Sequence, residues 1–342
     1  MLDVSVRLDW PGRTPDPPAA PARLDTAQEG DRRATLVLGD NLGALRALGR
    51  TPRRVTLAYL DPPFLTGRKH DRVVRSRDQG TGRITRSERP AFDDRWDGLH
   101  DYLGALGPRL EAIRGLLAPH GCLVLHVDSK TSHYAKVLCD EIFGARAFAS
   151  EIVWRYRRWP AKTRNFQRVH DVLLRYVRDP EGSPRFTQLY EPLAPSTVAT
   201  WGTSRQRAVV DGDGRRARSS RTDEVSPGAP LGDVWDIGIV APVSRERTGY
   251  PTQKPELLLE RLILACTDPG DIVLDPYLGS GTTVAVAVRL GRVAVGIDEN
   301  PDALAITRER LGRLGVSPAE LRTATGPGVR AAAKRRRTQP AA

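Results

Sequence analysis

A chain of 342 residues, 39% of them hydrophobic, is long enough to bury one large α/β core with a smaller insertion, or two modest cores. Lysine and arginine total 53 against 41 aspartate and glutamate residues, and the formal net charge of +12 favours a polyanionic partner. No apolar run approaches the roughly 18 residues that a membrane span needs, and the first residues lack a secretory pattern. We therefore expect neither a membrane span nor a secretory signal.

The three cysteines are Cys122, Cys139 and Cys266, and they form no CxxC pair and no metal-ligand spacing with histidine. Each lies in an apolar stretch. We therefore expect buried free thiols in a reducing cytoplasm, and no metal site.

The N-terminal half of the chain alternates buried-strand runs with helical spacing. Residues 1–34 are rich in proline, alanine and charge, which predicts an arm or linker. Strands are predicted at 35–38, 55–60, 122–128, 151–156 and 172–177, and helices at 41–48, 98–117 and 132–143. The charged stretch 67–95 shows no period and predicts a mobile loop.

The pattern fades in residues 179–235, where glycine, proline, serine and arginine predict an insertion. Order returns with helices at 255–266, 282–290 and 301–314, and strands at 272–274 and 293–297. The basic tail 323–342 is predicted to be disordered. Strands alternating with helices predict an α/β fold with a mostly parallel, doubly wound sheet, in two halves, 35–178 and 236–322.

A glycine loop, Asp275-Pro276-Tyr277-Leu278-Gly279-Ser280-Gly281-Thr282-Thr283, follows the strand at 272–274 and opens a helix. Its glycines let the backbone approach a ligand at the carboxyl edge of the sheet. Asp298 ends the next strand, where a carboxylate can accept hydrogen bonds from ribose hydroxyls, so an adenosine-containing cofactor is indicated. A nicotinamide cofactor would need a third glycine where Val284 stands, whereas Asp275 suits a sulfonium cofactor.

A second loop, Asp61-Pro62-Pro63-Phe64, also follows a buried strand directly. The amino nitrogen of adenine or cytosine is a poor nucleophile, because its lone pair is delocalised into the ring. The Asp61 carboxylate and the Pro62 carbonyl can accept its two N–H bonds, and the prolines keep these acceptors rigid. Phe64 offers a face on which a flipped base can stack. The loop therefore predicts methylation of an exocyclic amino group.

The same tripeptide occurs at Asp16-Pro17-Pro18, but no strand precedes it and Ala19 follows it. We assign that copy to the linker. The strand before Asp61 and the aromatic residue after it distinguish the catalytic copy.

These loops resemble the DNA amino-methyltransferases in the motif order called the β class, in which the catalytic loop precedes a target-recognition region and the cofactor loop. Gly39-Asp40-Asn41-Leu42, His126-Val127-Asp128 and Tyr250-Pro251-Thr252-Gln253-Lys254-Pro255 also resemble family blocks. The similarity covers residues 35–314. Tyr277 stands where the family mostly has phenylalanine, and Leu65 where many relatives have asparagine.

The resemblance implies a Rossmann-like S-adenosylmethionine-dependent methyltransferase fold, with residues 179–235 as the target-recognition insertion. It implies four catalytic residues, namely Asp61, Pro62, Pro63 and Phe64. The residues that it implies for cofactor binding are Asp40, Asn41, Asp61, Gln253, Lys254, Asp275, Tyr277, Gly279, Ser280, Gly281, Thr282 and Asp298.

We therefore expect a cytoplasmic enzyme of a bacterium or phage that methylates adenine N6 in double-stranded DNA, because the resemblance links an Asp-led loop mainly with adenine. Cytosine N4 is the alternative, since both amines offer two N–H donors. Methylation of RNA or of a protein glutamine, and a catalytically silent DNA-binding regulator, are the other hypotheses. A homodimer and a cognate restriction endonuclease are compatible with this interpretation, and the sequence identifies neither.

Several further residues have two interpretations. His126 and His170 lie near strands and are expected to be core residues, because the chemistry needs no strong base. Trp154, Tyr156 and Trp159 are either packing residues or contacts of the flipped base. The arginine clusters within 72–89 and 205–221 are either solvated surface or contacts to DNA phosphates.

Overall fold

The computed structural model describes residues 7–10, 13, 23–52, 54–77, 84–160, 162 and 164–324. Its strands are β1 (Arg23–Gln28), β2 (Asp31–Leu38), β3 (Val55–Leu60), β4 (Lys69–Arg77), β5 (Ile84–Asp93), β6 (Leu117–Asp128), β7 (Phe148–Arg155), β8 (His170–Val177), β9 (Tyr190–Glu191), β10 (Ser204–Val210), β11 (Arg216–Val225), β12 (Ala229–Pro230), β13 (Val234–Asp236), β14 (Ile272–Asp275), β15 (Val293–Asp298) and β16 (Pro318–Ala324). Its α-helices are α1 (Asn41–Leu48), α2 (Leu99–Leu116), α3 (Ser132–Phe143), α4 (Pro195–Trp201), α5 (Glu256–Cys266), α6 (Thr282–Arg289) and α7 (Pro301–Gly312).

Ten strands form the central sheet in the order β1-β16-β2-β15-β14-β3-β6-β8-β7-β13. Strands β16, β2, β15, β14, β3 and β6 are mutually parallel, and β8 runs antiparallel to both β6 and β7. The predicted mostly parallel α/β sheet is confirmed.

Strand β3 lies in the middle of this sheet, and all six of its residues are buried. A parallel strand is buried on both sides because crossover helices cover both faces of its sheet, which explains its continuous apolar sequence. The helices pack in two groups, α1 with α2 and α3, and α5 with α6 and α7. Leu110 and Ile113 of α2 are fully buried, as the helical spacing predicts.

The predicted linker ends earlier than expected, since β1 and the start of β2 lie within residues 1–34. Strand β1 pairs antiparallel with β16 at the edge of the sheet. Its residues are mostly exposed, so an edge strand of this kind lacks the apolar run that marks a buried strand. Strand β16 likewise extends into the predicted tail, and residues 325–342 lie outside the described part of the chain.

The prediction of a mobile loop at 67–95 is wrong. Strands β4 and β5 form an antiparallel hairpin in which Lys69 pairs with Asp93 and Arg77 with Ile84. The sequence signal was the pair of β-branched runs, Val73-Val74 and Ile84-Thr85, on either side of glycines. The surrounding charges conceal it, and the hairpin packs on the rest of the protein through Ala91 and Phe92 at its end.

The insertion contains helix α4 and two small antiparallel pairs, β10 with β11 and β9 with β12. Its last strand, β13, joins the central sheet beside β7. The boundaries of the proposed halves and insertion stay predictions.

The three cysteines are free and buried, as expected. Within the described ranges, no helix combines the length and apolar character needed to cross a bilayer.

Candidate active site

Strands β3 and β14 are neighbours in the sheet, with Leu57 paired to Val273 and Ala58 to Leu274. Both run in the same direction, so the loops that follow them leave the sheet at the same edge. The first loop begins at Asp61 and the second at Pro276. They meet at a cavity of about 290 Å³, close to the lower end of the range of roughly 300–1,000 Å³ for small-molecule sites.

Asp61 is the first residue after β3, and its side chain is about one-fifth exposed. Lys254 Nζ donates to its Oδ2 and lies 5.4 Å from the centre of the Phe64 ring. Oδ1 faces His126, whose Nδ1 is 3.7 Å away. Because a carboxylate oxygen has two acceptor positions, Oδ1 keeps capacity for a donor in the cavity.

A buried polar cluster lies beneath the Asp61–Phe64 loop. His126 is fully buried, and its Nδ1 is 2.8 Å from the Tyr59 hydroxyl. Its Nε2 lies 3.4 Å from Asp171 Oδ2, and the Tyr156 hydroxyl donates to Asp171 Oδ1 at 3.1 Å. Burial raises the pKa of Tyr59 well above its ordinary value, so its hydroxyl keeps its proton. His126 is buried in the core as expected, yet it also supports the wall behind Asp61.

Trp154 and Trp159, for which the sequence allowed either packing or contact with the flipped base, differ in burial. Trp154 is buried, and its Nε1 donates to the Ile237 carbonyl at 2.8 Å. It also meets the His126 ring edge to face, at 5.5 Å between ring centres. Trp154 is therefore a packing residue, whereas Trp159 is 91% exposed.

In the cofactor loop, Gly279 N–H donates to Asp298 Oδ2 at 2.9 Å, and Asn300 N–H donates to Oδ1 at 2.8 Å. Burial raises the pKa of Asp298 to about 6, although these N–H groups favour its ionised form. The carboxylate faces the cavity and has acceptor positions left for a ligand.

The buried guanidinium of Arg310 holds this loop from behind. It donates to the Ser280 carbonyl at 3.1 Å, to Thr282 Oγ1 at 3.0 Å and to Glu256 Oε1 at 2.6 Å. Asp275 is also buried, which raises its pKa to about 7, and it accepts the Tyr277 N–H at 3.0 Å.

The segment before α1 forms the opposite wall. Asp40 caps the helix by accepting the Gly43 N–H at 2.7 Å, and Asn41 donates to the Pro276 carbonyl at 3.0 Å. Arg109 of α2 donates to the Asn41 side chain at 2.6 Å. These bonds connect the amino-terminal segment directly to the cofactor loop.

The structure brings most of the predicted site residues together. The large cavity is lined by Asp61, Pro62, Pro63 and Phe64, and by Asp40, Asn41, Lys254, Tyr277, Gly279 and Asp298. A smaller neighbouring cavity of about 30 Å³ is lined by Gln253, Asp275, Ser280 and Thr282, together with Asp61 and Lys254. Gly281 lines neither cavity, and instead caps α6.

Gln253 is already engaged by its own loop. Its Oε1 accepts both the N–H and the hydroxyl of Thr248 at 2.8 Å, and its Nε2 donates to the Glu246 carbonyl at 2.7 Å. The amide shapes the segment that carries Lys254. Its position favours a structural contribution to the site over direct ligand contact.

Sequence reasoning missed several cavity residues, among them Phe92, Asp94, Trp96, Arg109 and Tyr250. The first two lie at the end of the hairpin or just after it. Phe92 stacks on His70 with 4.6 Å between ring centres, and Asn300 Nδ2 donates to the Ala91 carbonyl at 3.0 Å. These contacts hold the end of β5 over the cavity.

The cavity is acidic although the protein is basic. Six carboxylate residues line it, namely Asp40, Asp61, Asp93, Asp94, Asp298 and Glu299, against the two cations Arg109 and Lys254. An excess of carboxylates favours a ligand that carries positive charge, as a sulfonium cofactor does. Among the residues of the described ranges, no group of three histidine, cysteine, aspartate or glutamate side chains could hold a metal ion.

Comparison with known proteins agrees with this geometry. The family model described as DNA methylase, of the N6 and N4 methyltransferases, matches residues 55–309. The chain belongs to this N6/N4 DNA methylase family. The Type II methyltransferase M.HpaI of Haemophilus parainfluenzae is 30% identical over 276 residues, which cover 81% of this chain and 73% of that relative.

A second sequence relative and a solved structure are also similar to this chain. The DNA adenine methyltransferase YhdJ of Escherichia coli K12 is 26% identical, over 82% of this chain and 84% of that protein. The crystal structure of the M1.HpyAVI–SAM complex matches with a TM-score of 0.50 and 18% identity, over 81% of this chain and 98% of that one. That likeness supports the fold, and S-adenosylmethionine is the cofactor of the N6/N4 methylases.

The cavity fits this cofactor. The free acceptor positions of Asp298 suit ribose hydroxyls, and the stacked rings of Phe92 and Tyr250, 6.4 Å apart, provide an apolar wall. The carboxylate excess suits the sulfonium. The individual roles of the cofactor-binding residues stay predictions.

We predict that Gly281→Ala destabilises the protein more than Gly270→Ala. Both glycines have positive φ, +71° and +89°, so alanine at either position is strained by about 1–2 kcal/mol. At Gly281 the added Cβ would also lie 2.1 Å from Thr307 Oγ1, whereas no atom lies within 4 Å at Gly270. Thermal unfolding should show a shift of a few degrees for Gly270→Ala and at least twice that for Gly281→Ala. Equal shifts would contradict the close packing of the cofactor loop on α7.

Proposed function

We propose that this DNA methyltransferase transfers a methyl group to the N6 amino group of adenine in double-stranded DNA. The observation that carries the proposal is the meeting of the Asp61–Phe64 loop and the cofactor loop at one acid-lined cavity. A methyl donor and an amino acceptor must lie in line and in contact, and two loops on adjacent strands can hold them so.

S-adenosylmethionine, when bound, supplies an electrophilic methyl group on a sulfonium. Asp298 would hold the ribose hydroxyls, while Asp40 and Tyr277 would line the rest of the cofactor position. The Lys254 ammonium lies between the Asp61 carboxylate and the Phe64 ring. It therefore holds the catalytic loop in one arrangement, which limits the reorganisation needed at the moment of transfer.

Asp61 Oδ1 and the Pro62 carbonyl would accept the two N–H bonds of the target amine. Accepting both favours a more tetrahedral nitrogen with an available lone pair. Phe64 would stack on the flipped base, and its ring is fixed by the His126 ring, 5.7 Å away between centres. The polar cluster of His126 and Asp171 would thus keep the acceptor and the stacking face in register.

Two observations support adenine as the target. The catalytic loop begins with aspartate, which the family resemblance links mainly with adenine. The relative YhdJ, matched over 82% of this chain, is named a DNA adenine methyltransferase. Cytosine N4 offers the same two donors and is the alternative outcome of the test. Contacts of the arginine clusters with phosphates, a homodimer and a partner endonuclease are additional hypotheses.

We predict that the protein incorporates labelled methyl groups from S-adenosylmethionine into duplex DNA that carries no prior methylation. Digestion to nucleosides and mass spectrometry should then yield N6-methyladenine, and single-molecule sequencing should give the recognition site. N4-methylcytosine alone would contradict the choice of adenine. Tight DNA binding with no methylation of any base would contradict the proposed activity.

Asp61→Ala should lower methyl transfer by at least about a thousandfold, because it removes one of the two acceptors for the amine. Cofactor affinity should stay within a few-fold of the wild type, since most of the cavity is unchanged. Asp16→Ala is the matched control, because it changes the other copy of the same tripeptide, in a segment that the sequence predicts to be a linker and that lies outside the described residues. Transfer rates and calorimetric cofactor binding should be measured for both variants. An active Asp61→Ala enzyme would refute the proposed role.

Cofactor affinity should fall as the pH drops through about 6. Ribose hydroxyls bind the ionised Asp298 carboxylate, and protonation below its pKa of about 6 removes an acceptor. We expect binding about tenfold weaker at pH 5 than at pH 8 by calorimetry. Asp298→Asn should bind weakly at pH 8 and lose the step near pH 6. Asp275, with a pKa of about 7, remains in that variant as a separate titrating group. A step near pH 6 that persists in Asp298→Asn would exclude Asp298 as its origin.

A further inference from the structure

The segment between β7 and β8, residues 156–169, is rich in positive charge and contains no acidic residue. Its five basic residues are Arg157, Arg158, Lys162, Arg164 and Arg168. The segment is closed at its base, where the Tyr156 N–H donates to the Val169 carbonyl at 2.8 Å. Gln167 Nε2 crosses it and donates to the Trp159 carbonyl at 2.8 Å. We call this segment the basic aromatic loop.

Two large aromatic side chains of this loop are almost completely exposed, Trp159 at 91% and Phe166 at 97%. Single exposed apolar residues are common on protein surfaces. Two bare aromatic rings within eight residues, among cations and without an acidic neighbour in the loop, form a different pattern. Proteins that bind unpaired bases combine positive charge for the phosphates with aromatic faces for the bases.

The sheet places this loop at the catalytic edge. Strand β8 is antiparallel to both β6 and β7, so β6 and β7 run in the same direction. At their carboxyl ends, Asp128 pairs with Asp171 and Arg155 pairs with His170. The loop therefore leaves the same edge of the sheet as the loop that begins at Asp61.

A continuous series of contacts joins the base of the loop to the catalytic residues. Arg158 Nη2 is 3.1 Å from the Tyr156 hydroxyl, which donates to Asp171 at 3.1 Å. Asp171 lies 3.4 Å from His126 Nε2, and His126 Nδ1 lies 3.7 Å from Asp61. The buried cluster thus fixes the base of the loop beside the position proposed for the target base.

We propose that the basic aromatic loop docks on the duplex beside the target base and that Trp159 and Phe166 occupy the gap that the flipped base leaves. The basic side chains contact the flanking phosphates. Removing a base from the stack leaves its partner unpaired, and aromatic side chains inserted at such a position compensate for the missing stacking. The inference rests on the proposed function, because it requires a base to leave a DNA duplex.

The test compares two duplexes that contain the recognition site found by sequencing. One is fully paired, and the other carries a pyrene in place of the base opposite the target, so that the pyrene fills the gap in the stack when the target leaves it. The double variant Trp159→Ala, Phe166→Ala should methylate the paired duplex about ten- to a hundredfold more slowly in a single turnover. On the duplex with the pyrene, its rate should return to within about threefold of the wild type.

Phe186→Ala is the matched control. Phe186 is also an exposed aromatic residue, at 55%, but the neighbouring Arg185 N–H bonds to the His120 carbonyl near the start of β6, at the opposite edge of the sheet. It should leave both rates unchanged. Thermal unfolding of all variants should match the wild type within about two degrees, which separates a DNA contact from a folding defect.

A second measurement tests the phosphate contacts. Lys162→Ala with Arg164→Ala should reduce the slope of log binding constant against log salt concentration by roughly one for each phosphate that is no longer neutralised. An unchanged slope would overturn the phosphate contacts.

The outcomes for the aromatic residues are also distinct. A double aromatic variant as fast as the wild type on paired DNA, or slowed equally on both duplexes, would show that Trp159 and Phe166 do not fill the gap left by the flipped base. Failure of the wild type to methylate either duplex would overturn the proposed function together with this inference.

Discussion

The parallel pairing of β3 with β14 is the constraint on which the site depends. The catalytic loop and the cofactor loop are more than 200 residues apart in the chain, and only backbone pairing of two buried strands brings them to one edge. Both strands carry continuous apolar sequence because helices cover the two faces of the sheet. The position of Asp61 relative to Gly279 is thus set by main-chain hydrogen bonds, which hold it more firmly than side-chain contacts would.

The charge that lines the cavity is opposite in sign to the net charge of the protein. The chain is basic overall, yet six carboxylates line the cavity, and burial raises the pKa values of Asp275 and Asp298. A polyanionic substrate is attracted by the basic surface, while a cationic small molecule is favoured inside. The same enzyme must bind both, and separating the two charge regions keeps one ligand from competing for the position of the other.

The sequence predicted the buried strands, the amphipathic helices and both loops, because these depend on local patterns of apolar residues and glycines. It did not reveal the β4–β5 hairpin, because charged residues surround its two β-branched runs. It placed Gln253 among the cofactor residues from a motif, but the hydrogen bonds of its amide to Thr248 and Glu246 depend on the conformation of its own loop, which no motif specifies. The sequence did not indicate Arg109, because the residue that it contacts, Asn41, lies 68 positions earlier in the chain.

Strand order also determines when the enzyme can become active during synthesis. Strand β2 lies between β15 and β16, and Arg310 of α7 supports the loop proposed to bind the cofactor. The Asp61–Phe64 loop is synthesised early. Its neighbouring strand β14 and the supporting residue Arg310 leave the ribosome only after most of the chain has been made. A nascent or prematurely terminated polypeptide therefore displays Asp61 without a site for the methyl donor. Under the proposed function, only chains that extend through α7 can methylate DNA.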